Sequence, residues 1–204
     1  MPPLHYNGAL TAEQYLLQEM RIAARLYLDG CSAADAAAEI RRGNLFQYPT
    51  EREVARMTRA CYKRLDALAS RPLVRELAAA PQEIARQINL YAMMCANRLV
   101  WEFMVDVIGG KFRACDLTLT KKDLHVFFDR LAAQDDTVAG WSAATVGKLK
   151  SVLVRALAET RYLDTVKSET LNPVFLCDEL EQGIREKHDL AALPAFNCFW
   201  EGSR

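Results

Sequence analysis

The chain has 204 residues, a quarter of them charged and half apolar, with 26 Lys+Arg against 26 Asp+Glu. This is ordinary globular composition, which excludes a disordered tail; a chain this long buries roughly 70% of its unfolded surface, as one domain or two small ones. Zero net charge also excludes a surface coated throughout for a polyanion, so any nucleic-acid contact is local.

In chain order, Thr11 with Gln14 spells a capping box, and Gly30 stops the helix it opens, over about 12–29. Ser32 opens a short Ala-rich helix that ends before Gly43. Pro49 forces Tyr48 out of helical geometry, and Thr50 with Glu53 makes a second capping box. The helix that follows covers 51–69 and ends at the Arg71-Pro72 break; a short helix takes up about 73–79. Pro81 suits the first turn of a long helix ending at Gly109-Gly110. Its stretch QINLYAMMCANRLVWEFMVDVI (87–108) is strongly apolar, yet Asn89, Asn97, Arg98, Glu102 and Asp106 interrupt it. A membrane span needs about 20 residues nearly free of charge, so this is the central buried helix of a soluble bundle.

The character changes after the two glycines, which places a boundary near 110, between a helical subdomain 1–110 and a second subdomain 111–204. Thr120 and Asp123 begin a helix to about Ala133, QDDTVAGW is a polar connector, and Ser142 caps a helix to about Thr160. YLDTVKSETLNPVFL is rich in β-branched and aromatic residues around a polar turn, which predicts a hairpin of 162–167 and 171–176. Helix, connector, helix, hairpin is the order of the second half of a winged helix. A last helix over about 178–187 precedes an apolar tail. The expected fold is mainly α: a helical bundle followed by a winged-helix-like part carrying one short β-hairpin.

Six cysteines (31, 61, 95, 115, 177, 198) are spread without a CxxC pair, and His5, His125 and His188 stand apart, so no zinc spacing exists. Cysteines among apolar neighbours are expected to be reduced and buried, which suits a cytoplasmic protein. Met1-Pro2-Pro3 lacks the basic start and apolar run of an export signal. There is no Gly-rich phosphate loop, GxSxG, HExxH or paired-carboxylate motif, so neither an enzyme nor a cofactor is expected.

The net charge is unevenly placed: +6 over residues 41–75 and +3 over 111–167, with acidic stretches between and around them. On the helix 51–69, at about 100° per residue, Arg52, Arg56, Arg59 and Lys63 fall in one row, opposite Val54, Met57, Cys61, Leu65 and Leu68. Like charges at that spacing repel by a few tenths of a kcal/mol. Either a polyanion relieves the repulsion, releasing counterions, or acids elsewhere in the fold such as Glu13 and Glu19 do, or a protein partner does. On the helix after Ser142, Val146, Leu149, Leu153 and Leu157 form the apolar stripe. Lys148, Ser151 and Arg155 lie opposite, suited to phosphate and base-edge contact, and Lys167 falls near the hairpin turn. Lys150 turns toward the buried side.

Several strings together resemble one family: YNGALT (6–11), NLFQYPTER (44–52), QINLYAMM with NRLVWEFM (87–104), VFFDRL (126–131), TLNPVFL (170–176) and LPAFNCF (193–199). They resemble BrxA, the small helical protein of BREX phage-defence islands, through nearly the whole chain. The resemblance implies a bacterial, cytoplasmic, non-catalytic component. It would work beside an adenine methyltransferase, a large ATPase, a phosphatase-like protein and a Lon-like protease. It also implies association with double-stranded DNA, while the family's likeness to the helical antitermination factor NusB implies RNA. A protein-only scaffold is the third alternative. The resemblance assigns no single residue to DNA; the basic positions above rest on helical geometry.

Overall fold

In the computed structural model, which describes residues 5–199, the regular elements are all helices. They are α1 (Leu17–Leu28), α2 (Ala33–Arg42), α3 (Glu51–Leu68), α4 (Arg71–Ala79), α5 (Gln82–Ala96) and α6 (Arg98–Glu102), then a π-helical turn (Phe103–Ile108) and α7 (Gly109–Arg113). After these come α8 (Lys121–Ala132), α9 (Asp136–Ala139), α10 (Ala143–Glu159), α11 (Asp178–Glu186) and a closing 3₁₀ stretch (Leu190–Phe196). The Met1-Pro2-Pro3 start, on which the expectation of no export signal rests, lies outside the described residues, as does the end of the tail.

The starts of several helices are chemically explicit. Ser32, Thr50, Thr120 and Ser142 each accept the backbone N–H three residues on, satisfying a donor that the helix cannot. At Thr120 the box is reciprocal, with the Asp123 carboxylate accepting the Thr120 N–H at 2.6 Å.

Three expectations are corrected. Thr11 and Gln14 do not open α1, which begins at Leu17. Thr11 Oγ1 donates back to the Gly8 carbonyl (2.9 Å), and residues 13–15 turn their carbonyls toward the guanidinium of Arg64 instead of into a helix. Second, the long helix breaks at Asn97, whose side chain accepts from Leu99 N and Val100 N, and helix then continues past Gly109-Gly110 to Arg113. Gly109 is no terminator: a Cβ there would stand 3.0 Å from Pro194 Cβ and 3.1 Å from Ala195 N, so glycine lets the 3₁₀ stretch approach the helix.

Third, residues 162–167 and 171–176 form no hairpin. Among the described residues there is no strand, only the isolated bridge Thr118–Thr170, flanked by Leu119 N→Glu169 O (2.7 Å) and Leu171 N→Leu117 O (2.8 Å). Adjacent Tyr162 and Leu163 are both buried, at 0% and 1% exposure, which a hairpin strand with one solvated face does not allow. Tyr162 Oη donates to the Ala195 carbonyl (2.8 Å). Asn172 ties the segment into a loop, its N–H donating to Tyr162 O and its amide to Arg161 O and Asp164 Oδ1, and Pro173 has no N–H to offer a ladder. The order of elements in 120–176 is therefore helical without a wing, and the winged-helix reading falls with the hairpin.

One apolar cluster runs from Tyr6 to Phe196 and draws on residues both before and after position 110. α5 is its axis: every residue from Ile88 to Ala96 is buried. No helix among the described residues is long and apolar enough to cross a membrane. A satellite cluster of Ile40, Phe46, Val54 and Met57 seats α2 and the loop before α3. The six cysteines are unpaired; Cys61 and Cys95 are buried, Cys115 is exposed and the rest are half-buried. Burial pushes the Cys61 thiol up to about 12, which leaves it inert.

α11 lies so close to α4 that a Cβ on Gly183 would meet Leu73 Cδ1 at 2.6 Å and Cγ at 2.8 Å. Gly183→Ala is expected to cost about 1–2 kcal/mol after the helix-propensity gain, as overpacking of a buried leucine. Urea denaturation measures it, and a Leu73→Ala background should remove most of the effect.

Candidate nucleic-acid interface

α3 is two-sided. Its inner face packs Val54, Met57, Cys61, Leu65 and Leu68, and its outer face exposes Arg52, Arg56, Arg59 and Lys63. The row from Arg52 to Lys63 spans about 16 Å at 1.5 Å per residue. None of the four makes a hydrogen bond or ion pair among the described residues. The acids weighed as partners are not used that way: Glu19 accepts the Tyr48 hydroxyl at 2.6 Å, and Arg64, not the row, reaches the Glu13 backbone. Other arginines nearby are engaged. Arg41 pairs with Glu51 (2.9 Å), Arg42 with Glu39, and Arg71 donates to the Leu28 carbonyl (3.2 Å).

Arg64 is the exception on this helix. It is 3% exposed, and its Nη1 donates to Tyr15 O (3.0 Å) while its Nη2 donates to Glu13 O and Gln14 O (both 2.6 Å). Asn89 Nδ2 adds a donor to Tyr15 O at 2.8 Å. Desolvation lowers the guanidinium's affinity for its proton, opposed by Cys61, Glu13, Tyr15 and Glu19. These bonds pin residues 13–15 as a strap and set Leu16 in the left-handed region (φ 56°) just before α1.

The strap joins the two basic zones. It floors a cleft of about 500 Å³ between α3 and α10, lined among others by Gln14, Glu53, Arg56, Gln82, Arg155 and Glu159. A second hollow of about 440 Å³ adjoins it, lined by Thr11, Gln14, Lys148, Ser151 and Arg155. Gln14 and Arg155 belong to both and form the wall between them, with Arg155 Nη1 donating to Gln14 Oε1 (3.2 Å).

The structure thus brings together Arg56, Arg155, Lys148 and Ser151, with Arg52, Arg59 and Lys63 continuing the α3 row. Ser151 Oγ donates to Gly147 O (2.9 Å), so its hydroxyl is partly spent on its own helix. Lys150 turns inward onto the Phe128 ring, 5.4 Å from its centroid. Lys167 is exposed on the loop tip shaped by Thr165 and Ser168, outside both hollows. Sequence reasoning missed Arg64, Gln14, Gln82 and the carboxylates Glu53 and Glu159. The signal for Arg64 was available: it stands three residues from Cys61 and four from Leu68, on the apolar stripe.

No group of His, Cys, Asp and Glu among the described residues is arranged to hold a metal ion. The arrangement offers cations at helical spacing and hydrogen-bonding amides, which is a binding chemistry.

The BrxA family model matches residues 4–188. A "BREX protein BrxA" of Bacillus cereus (strain H3081.97) is 32% identical over 181 residues, covering 86% of this chain and 88% of its own. A protein of the same description from Escherichia coli O9:H4 (strain HS) is 23% identical over 174 residues, covering 85% and 81%. The crystal structure of an uncharacterized protein from Magnetospirillum magneticum superposes with a TM-score of 0.81 at 22% identity, over 94% of this chain and 97% of that one, and so shares the fold.

Proposed function

This chain belongs to the BrxA family, and we propose that it is a non-enzymatic, cytoplasmic component of a BREX-type phage-defence system that binds double-stranded DNA. The observation that carries the reading is the contrast on and around α3. Arg41, Arg42 and Arg71 are engaged and Arg64 is buried, while Arg52, Arg56, Arg59 and Lys63 stay exposed and unneutralised in one row. The row holds backbone phosphates. Lys148, Ser151 and Arg155 make a second line of contact across the cleft, and Lys167 an outlying one. Contacts of this kind position a duplex without reading it, so site selection falls to partner subunits such as the methyltransferase, with the ATPase and phosphatase-like protein as further neighbours.

Four phosphate contacts give log K against log salt a slope of about −4. Fluorescence anisotropy on a short duplex, titrated from about 50 to 200 mM salt, measures it. A structured RNA of equal length, as competitor, separates duplex DNA from the RNA-binding alternative, because A-form grooves present different surfaces. Absence of any duplex binding at low salt would favour a protein-contact scaffold. One observation supports that second reading: Phe175 is 85% exposed on a loop held by Gln87, which donates to Phe175 O (2.9 Å) and accepts from Cys177 N (3.0 Å).

A further inference from the structure

The cleft between α3 and α10 is ill suited to a phosphate at its centre. Beside Arg56 and Arg155 its lining carries Glu19, Glu53 and Glu159, together with the amides of Gln14, Gln18 and Gln82. Three carboxylates against two guanidiniums repel an anion that enters deeply. Neither arginine is in an ion pair among the described residues, although Arg155 donates to Gln14 Oε1, so anions can be held at the two walls, by Arg56 from α3 and by Arg155 from α10.

The remaining lining suits a neutral, flat, hydrogen-bonding group. Glu159, Gln18 and Gln82 are exposed and make no hydrogen bond or ion pair among the described residues, whereas Glu19 and Glu53 are half-buried and bonded to Tyr48 and Thr50. A carboxylate accepts from the exocyclic amine of cytosine or adenine, and a glutamine amide both donates and accepts at a base edge. Buried Tyr15, Leu17 and Met57 supply an apolar floor. The volume, about 500 Å³, falls within the usual range for small-ligand sites. A base still stacked in a duplex cannot enter such a hollow, but an unpaired or extruded one can.

Resting on the DNA-binding reading, we propose that this cleft takes a single unstacked nucleobase bearing an exocyclic amino group. Glu159 accepts from that amine, Gln82 and Gln18 contact the rest of the base edge, and Arg56 and Arg155 hold the phosphates on either side. The chain then prefers DNA in which a base is already free of its partner, because extrusion from a perfect duplex costs a few kcal/mol.

The test compares duplexes of about 20 base pairs, either fully paired or carrying one central unpaired A, C or T, by anisotropy at fixed salt. The A and C bulges are expected to bind about tenfold more tightly than the paired duplex, with no gain for T. Glu159→Ala with Gln82→Ala should abolish the gain while leaving the affinity for paired DNA no weaker. Equal gain for T, or no gain for any bulge while paired duplex binds, overturns the proposal and leaves duplex binding standing. If no duplex binds at all, the DNA reading fails on its own. The cleft is then decided by ligand-observed NMR with dCMP against dTMP: saturation transfer to dCMP that Glu159→Ala removes upholds the base site, and its absence overturns it.

Discussion

Replacing Arg64 by Met should destabilise the protein by about 3–5 kcal/mol, because it strips backbone carbonyls of a charged donor at about 1–3 kcal/mol apiece. The reason is local and countable. Three consecutive carbonyls, of Glu13, Gln14 and Tyr15, take their donors from one guanidinium, and only Tyr15 O keeps another, from Asn89. Each acceptor left bare costs about 1–3 kcal/mol, and the carbonyls of Glu13 and Gln14 accept no main-chain hydrogen bond among the described residues. For a domain of this length the melting temperature should fall by roughly 6–20 °C. Arg64→Lys should recover only part of the loss, because an ammonium does not reproduce the planar fork that spans three oxygens. Differential scanning calorimetry on both variants checks the order. A wild-type-like melting temperature for Arg64→Met would mean that the strap is not held by this residue.

The second large effect is on binding. Arg52→Ala, Arg56→Ala and Arg59→Ala combined should flatten the salt slope by up to about 3 units and weaken duplex binding by about two to three orders of magnitude near 0.1 M salt. All three side chains are exposed and unpaired, so the variant should melt with the wild type. Loss of thermal stability with unchanged affinity would instead identify intramolecular partners. Lys167→Ala alone, on a loop tip outside both hollows, should flatten the slope by at most about 1 unit.

The elements legible in the sequence were those fixed by neighbours along the chain. Thr50 and Ser142 announced α3 and α10, and the spacing of Leu149, Leu153 and Leu157 told which face of α10 is buried. The errors came where a distant group outcompeted the local signal. Thr11 and Gln14 have the chemistry of a capping box, but Arg64, some fifty residues on, claims the carbonyls of the strap. Gly109-Gly110 reads as a stop, yet what requires glycine at 109 is Pro194 crossing over it. The β-branched run after Tyr162 has strand propensity, but both Tyr162 and Leu163 are drawn into the core, and propensity yields to burial. At the candidate site the basic row was readable because helical periodicity alone defines it. The cleft was not: Gln14, Gln82 and Glu159 come from three separate segments, and no pattern within one segment announces their convergence.

The core that reaches from Tyr6 to Phe196 bears on how the protein is made. Tyr6 closes on Glu102, 96 positions away, Tyr91 on Asp189, 98 away, and Tyr162 on Ala195. A nascent chain halfway through synthesis holds α5 with much of its apolar surface still waiting for partners that have yet to leave the ribosome. Final consolidation therefore comes after translation of the last helical turn, and until then the apolar faces of α5 lack the partners that cover them in the folded protein.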